Sequence, residues 1–355
     1  LETFVSFLAD THTAGITVDW HAFYAERGAS RVDLPTYAFQ HDHYWLTPAP
    51  PSDPKAAGLG AAAHPLLAAE VEVAGGETRI LTGRVSLDTH PWLRDHAVLG
   101  KVLVPGSGFV EMALHAGRSV GCDTLDELVF EAPLVLAGPG AVQVQVNVGE
   151  VSDDGTRAVT IHSRPEAADT ADTTGSGAVW ARHAIGTLSP GAPAPGDLTG
   201  DATGGLATAA WPPEGAHPLD VGDLYDRVAD HGLDYGPLFQ AVTAAWRRGD
   251  EVFAELTLDG ALAGEAGRFG LHPVLLDAAF HPGFPDDAGP GAGGAMLPFS
   301  WSGVRLHQDG VSTLRVAVTP AGAGATTLAC PGGTSVANAI GSAFSVRWPC
   351  GVRIS

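Results

Sequence analysis

Apolar and polar positions alternate with a period of two along much of this chain. The stretches EVEVA, TRILTGRVSL, GKVLVP, AVQVQVNVGE, RAVTIHSR and VWARHAIGTLS are strand-like between residues 70 and 189, with the alternation plainest in EVEVA and AVQVQVNVGE. Alternation of this kind predicts half-buried β-strands. One segment breaks it. PGSGFVEMALHAGRSV, residues 105–120, spaces its apolar side chains as a helix does, and Pro105 suits a helix start, where its missing N–H costs nothing. After residue 217 the plan returns. A helix is expected in DVGDLYDRVADHG and strands in FQAVTAAWRRG and EVFAELTL. A second isolated helix is expected in HPVLLDAAFHP, then strands in LPFSWSGVRLH, STLRVAVTP, TTLAC and SAFSVRW.

Two bodies of antiparallel strands, each wrapped round one mostly apolar helix, read as a weak internal duplication. Strands do not alternate regularly with helices, so an α+β fold is expected rather than a parallel α/β one. Proline- and alanine-rich segments divide the chain. The expected organisation is a separate unit at 1–47 and a flexible linker at 48–63. The two halves follow at 64–190 and 217–349, joined by a linker at 191–216, with an atypical tail at 350–355. Within the first unit, LETFVSFLAD reads as a short amphipathic helix, and VDLPTYAFQHDHYWL as extended, aromatic and broken by proline.

Composition narrows the classes. The chain has 355 residues, 45% of them hydrophobic and 17% charged, enough for a real core. Its formal net charge is -21. Nucleic acid and anionic membrane surfaces are therefore poor partners, since both call for a basic face. Cys122, Cys330 and Cys350 are scattered, which fits a reduced, cytoplasmic protein. No apolar run approaches a membrane span. The first residue is Leu1, with no basic leader, and the expectation is a piece of a longer polypeptide without a signal peptide.

The common catalytic signatures G-x-S-x-G, G-x-x-x-x-G-K-[ST] and H-E-x-x-H are absent. His41 and His43 fall on opposite sides of an extended segment and make a poor metal site. Three constellations remain. In DHAVLGKVLVPGSGF, His96 precedes Gly100, Pro105, Gly106 and Gly108. A histidine before a strand is commonly a satisfied core residue. Here, though, free N–H groups at the start of the next helix would stabilise a carbonyl oxygen gaining charge. A base beside such a site suits proton abstraction next to a carbonyl. Asp277 sits in an apolar helix with little solvent face, and His281 one turn on could orient its carboxyl group. DYGPLF, with Tyr235, Gly236 and Pro237, is by itself only a turn. Glu111 also sits on a helix, but on the element that starts at Gly106. A surface, interface or vestigial role is expected of it. Arg182 and His183 alternate on a strand, so one of them should be exposed.

At these residues the sequence resembles the dehydratase domain of modular type I polyketide synthases. The family's H-x-x-x-G-x-x-x-x-P motif matches His96, Gly100 and Pro105. Its Y-G-P-x-F motif matches Tyr235, Gly236, Pro237 and Phe239. Its D-x-x-x-[QH] motif matches Asp277 and His281, and LPFSWSGVRLH matches its Leu-Pro-Phe-x-Trp strand. Residues 1–47 resemble the linker that follows an acyltransferase domain, and SAFSVRWPCGVRIS matches the usual closing strand only loosely.

The resemblance implies a double hot-dog fold and dehydration of a 3-hydroxyacyl chain to a 2,3-enoyl thioester, trans in geometry. The chain would ride on the phosphopantetheine of an acyl carrier protein. His96 would take the C2 proton, Asp277 would protonate the departing hydroxyl, and the Gly106 N–H would hold the thioester carbonyl. Tyr235 would place the hydroxyl and His281 would orient Asp277, with Gly100, Pro105, Gly236 and Pro237 in support. Neighbouring acyltransferase and ketoreductase domains and a homodimer are implied as well. No metal or organic cofactor is expected, because this elimination asks only for a base, an acid and an oxyanion site. An acid that works near neutral pH must resist ionisation by roughly 4 kcal/mol relative to a free aspartate. Burial among leucines and Phe280 is expected to supply that. Two alternatives stay open: double-bond isomerisation or pyran-forming cyclisation at the same pair, and a non-catalytic scaffold role.

Overall fold

The computed structural model describes residues 2–30, 32, 54–138, 140–166, 179–191, 210–283, 297–306, 308–322, 325–329 and 344–347. The expected histidine pair at 41–43, most of the 191–216 linker and the 350–355 tail lie outside the described residues. Two compact units are distinguished, Leu1–Pro51 and Ser52–Ser355. In the first, α1 (Glu2–Thr13) runs past the expected segment, and α2 (Trp20–Tyr24) starts at Asp19, whose side chain caps it by accepting from Ala22 N–H. No helix among the described residues is long and apolar enough to cross a membrane.

The second unit opens with β1 (Gly60–His64), β2 (Leu67–Glu72) and β3 (Arg79–Ser86). Residues 60–63 were expected in a linker; instead they pair with β2, because Ala62 and His64 turn inward on alternate positions. Next come β4 (His96–Val98) and β5 (Lys101–Val102), followed by α3 (Gly106–Ser119). The expected strand GKVLVP is only two residues long. Leu103 and Val104 instead lead the chain into α3, bonded to His96 O and Leu134 O. The first half then runs through β6 (Thr124–Phe130), β7 (Ala141–Val151), β8 (Arg157–Pro165) and β9 (Ala181–Ser189). Strand β6 escapes the alternation test because a bulge between Leu125 and Glu127 puts its buried leucines three apart.

The second half contains β10 (His217–Leu219), α4 (Leu224–Ala229), β11 (Leu233–Tyr235), β12 (Val242–Arg248) and β13 (Glu251–Thr257). It continues with α5 (Gly260–Ala263), α6 (Pro273–Ala278), β14 (Ser300–Arg305), β15 (Thr313–Gly322), β16 (Ala325–Ala329) and β17 (Phe344–Arg347). Helix α6 is shorter than its apolar pattern suggested. Pro282 disfavours helical backbone at the residue before it, and a tight turn over His281–Gly283 follows.

The expected two antiparallel sheets join edge to edge. Their order is β1-β2-β3-β7-β8-β9-β6-β14-β17-β16-β15-β13-β12-β10, with β6 against β14 at the seam between the halves. Leu128 and Trp301, opposite one another there, are both buried. Helix α3 buries Phe109, Val110, Met112, Ala113 and Leu114, and it packs on the sheet and on α6. A second, small sheet, β11-β4-β5, mixes strands from the two halves and places the site.

Candidate active site

His96 is the first residue of β4. Three residues later Leu99 and Gly100 turn the chain back with φ of 49° and 72°, between Val98 and its partner Lys101. Both positions are left-handed, as a two-residue hairpin of this twist requires, and glycine adopts that conformation without strain. The return strand ends at Val102, and the chain then reaches Pro105, the N-cap of α3, with Gly106 opening the helix. The spacing from His96 through Gly100 to Pro105 thus covers a buried histidine, a turn, a return and a helix start. Leu103 closes the unit. Its N–H donates to His96 O at 3.1 Å, and its carbonyl accepts from His96 Nδ1 at 3.0 Å. A carbonyl can only accept, so the ring proton sits on Nδ1 and the Nε2 lone pair is free.

The Tyr-Gly-Pro segment is more than the turn it suggests in isolation. In β11, Tyr235 pairs directly with His96 across the halves. Gly236 N–H donates to Asp95 O at 2.9 Å, and Leu238 N–H donates to Asp95 Oδ2 at 2.8 Å. A side chain at position 236 would run into that of Asp95, so the close approach of the two segments requires glycine. Pro237 starts the short turn that follows. The Tyr235 ring stacks on His281 with centroids 4.2 Å apart.

Asp277 lies near the end of α6. Its Oδ2 accepts from His281 Nε2 at 3.2 Å and lies 3.8 Å from His96 Nε2. The Tyr235 hydroxyl also hydrogen-bonds Asp277. Residues from both halves therefore meet at one place, where the side chains of His96 and Asp277 are 5% and 14% exposed. The Gly106 N–H lies in the first turn of α3, where no earlier carbonyl of the helix can accept it. Phe130 packs against Gly106, and a Cβ there would come within 2.9 Å of its ring.

Burial holds His96 below its ordinary imidazole value, against the opposing pull of Asp277 and the Leu103 carbonyl, so the ring is neutral. Asp277 departs from expectation. Burial does push its carboxyl up, but His281, His96 and Tyr235 together outweigh it and hold the group below its ordinary value. In the free site Asp277 is a carboxylate, because polar side chains that favour the charge converge on its carboxyl group although the rest of the helix is apolar. Burial and Asp277 keep Tyr235 a neutral phenol.

Glu111 is not on the surface. It is 2% exposed and accepts from Gly270 N–H at 2.6 Å and Leu271 N–H at 3.0 Å. Helix α3 turns this face inward, toward the segment that enters α6. Of the alternating pair, Arg182 is exposed with Glu131, and His183 is buried with Nε2 2.7 Å from Ser163 Oγ. Among the described residues no group of three or more His, Cys, Asp or Glu side chains is placed to hold a metal ion. Sequence reasoning missed Asp95, which fastens the Tyr-Gly-Pro segment, and Tyr225. The Tyr225 hydroxyl lies 3.4 Å from His281 Nδ1 and accepts from Val242 N–H at 3.2 Å. Asp95 directly precedes His96, which was the available signal; Tyr225 had none, since only the fold brings it to His281.

Residues 64–164 match the family described as polyketide synthase dehydratase domain, and residues 203–330 match polyketide synthase dehydratase N-terminal domain. The chain is 50% identical over 331 residues to polyketide synthase GfsA of Streptomyces halstedii, covering 92% of this chain and 4% of that protein. It therefore spans a small fraction of the length of that relative. Two solved structures are similar at 42% identity and 84% coverage of this chain. One comes from work on dehydratase substrate selection for the borrelidin and fluvirucin polyketide synthases, with a TM-score of 0.73 and 99% of that chain covered. The other is the dehydratase domain from the terminal module of the rifamycin polyketide synthase, with a TM-score of 0.69 and 100% covered.

Proposed function

This chain belongs to the polyketide synthase dehydratase domain family, and from that premise we propose that it converts a 3-hydroxyacyl thioester to the 2,3-enoyl thioester with His96 as base and Asp277 as acid. The observation that carries the assignment is the 3.8 Å approach of His96 Nε2 to Asp277 Oδ2, from opposite halves. The Nδ1 bond to Leu103 O supports it, because it leaves Nε2 as the only basic atom of the ring.

The thioester carbonyl is held by the Gly106 N–H, with the dipole of the 14-residue α3 behind it. Neutral His96 takes the C2 proton, and charge moves onto the thioester oxygen. The imidazolium so formed faces the Asp277 carboxylate. Passing the proton to Asp277, once substrate has displaced solvent or through one water, gives the acid that the hydroxyl at C3 needs. The C3–O bond breaks, the C2=C3 bond forms, and water leaves carrying that proton. His96 and Asp277 return to their starting forms, so a resting carboxylate is compatible with acid catalysis. Tyr235 and His281 hold Asp277 and the leaving hydroxyl in place.

The acyl chain arrives on the phosphopantetheine of an acyl carrier protein, within a larger synthase that includes acyltransferase and ketoreductase domains, and the domain acts as a homodimer. A trans alkene is the expected product. The test is a panel of carrier-bound 3-hydroxyacyl chains read by mass spectrometry. Loss of one water from at least one of them is expected. Intact substrate across the panel, or migration of an existing double bond without loss of water, would contradict the reading.

A further inference from the structure

Glu111 is a buried charge that the reaction above does not use. Burial alone would push its carboxyl up, but His64 and the Leu271 and Gly270 N–H groups outweigh it and keep the group ionised. His64 comes from β1, and its Nδ1 accepts from Leu66 N–H, so its ring proton sits on Nε2, 3.4 Å from Glu111 Oε1. The two carboxylate oxygens are divided between two successive backbone donors, Oε1 to Gly270 and Oε2 to Leu271. A bidentate grip of this kind fixes orientation as well as distance.

What it grips is the lead into α6. Leu271 is followed by His272, fully buried, whose Nδ1 caps the helix by accepting from Val274 N–H at 3.2 Å. Asp277 sits at the other end of the same short helix. Residues 270–277 thus form one stiff piece, held at its start by a side chain of α3. The same helix starts five residues before Glu111 at Gly106, which presents the N–H for the thioester. The approach leaves little slack at Gly270, where a Cβ would come within 2.9 Å of Leu306 Cδ1 and 3.3 Å of Glu111 Oε1.

We infer that Glu111 is a positioning residue that sets how far Asp277 reaches toward His96 and the Gly106 N–H. The inference rests on the assignment of base and acid given above. Glutamine in place of Glu111 keeps one acceptor and turns an amide donor toward the second backbone N–H. The grip then loosens and α6 shifts. Removal of the C2 proton needs only His96 and Gly106, both in the first half, whereas loss of the hydroxyl needs Asp277. Misplacement by about 1 Å can cost about 100-fold in rate.

The experiment compares two reactions of one protein. C2 hydrogen exchange in D2O is followed on a saturated acyl pantetheine thioester, which has no hydroxyl to lose, and dehydration on the matching 3-hydroxyacyl thioester. In Glu111→Gln, dehydration kcat should fall about 10- to 100-fold, with exchange within about twofold of wild type. Gly270→Ala should shift the ratio in the same direction, and it decides the matter alone if Glu111→Gln does not fold. Unchanged dehydration would overturn the inference. So would an equal fall in both rates, which means that Glu111 only maintains the folded population. Wild-type dehydration by Asp277→Asn would instead overturn the assignment of the acid.

Discussion

The two central helices carry the same kinds of group and handle them in opposite ways. Helix α3 is 14 residues long, and its N-cap, Pro105, makes no side-chain cap bond. Gly108 N–H donates to Pro105 O, while the Gly106 N–H has no earlier carbonyl of the helix to meet. Helix α6 has six residues, and its N-terminus is closed by His272. The carboxylates are reversed. Glu111 on α3 is saturated by backbone N–H groups of fixed position, while Asp277 on α6 is held by His281 and Tyr235 beside His96. A carboxylate locked by backbone donors cannot readily exchange a proton. One held by side chains beside a neutral imidazole can. In the proposed reaction, which half supplies the donor and which the acid is decided by these local partners, not by position on a helix.

The largest break in this comparison is removal of the proposed base. His96→Phe should lower dehydration by at least about 10³-fold and abolish C2 exchange, with the thermal transition little changed. A steady-state assay with a melting curve checks both. Survival of exchange would mean that the first half does not take the proton.

The second effect sharpens the contrast between helix starts. Burial holds His272 down to about 4 from an ordinary 6.5. A base depressed in the folded state stabilises the fold fully above its unfolded value, and that contribution is lost as pH falls from about 6.5 toward 4. The loss amounts to about 3 kcal/mol. His272→Asn keeps a capping side chain and removes the titration, so its melting temperature should fall less between pH 6.5 and 4 than that of wild type. Parallel slopes for the two proteins would show that the α6 cap is not what titrates.

A smaller effect is expected at the junction. Gly236→Ala must push Asp95 aside and loosen β11 from β4, at a cost of about 1–3 kcal/mol in denaturant unfolding. An unchanged midpoint would show that the small sheet tolerates separation of its two halves.

The strands, the two helices and their duplication were legible in the sequence, because periods of two and of about four are set by which face is buried. The bulge in β6 hid one strand and Pro282 cut α6 short. Each is a local irregularity that a regular period cannot register. The residues His96, Asp277, Tyr235 and His281 were legible as motifs. Their meeting at one site was implied only by the family resemblance; no spacing along the chain gives it, since β11 reaches β4 over more than a hundred residues. Glu111 was misplaced because its partners are backbone N–H groups, which leave no residue-type signature. The direction in which Asp277 departs from an ordinary carboxyl was missed for a related reason: apolar neighbours in sequence are not its neighbours in space.

The division of labour between the halves is tested most directly by C2 hydrogen exchange in Asp277→Asn. The protein is incubated in D2O with a 3-hydroxyacyl pantetheine thioester, and deuterium at C2 and enoyl product are read together by mass spectrometry. Deuterium should enter C2 within about tenfold of the rate at which wild type exchanges a saturated thioester, with no enoyl product. Loss of exchange together with dehydration, or enoyl formation at the wild-type rate, would contradict the assignment of proton removal to His96 and hydroxyl departure to Asp277.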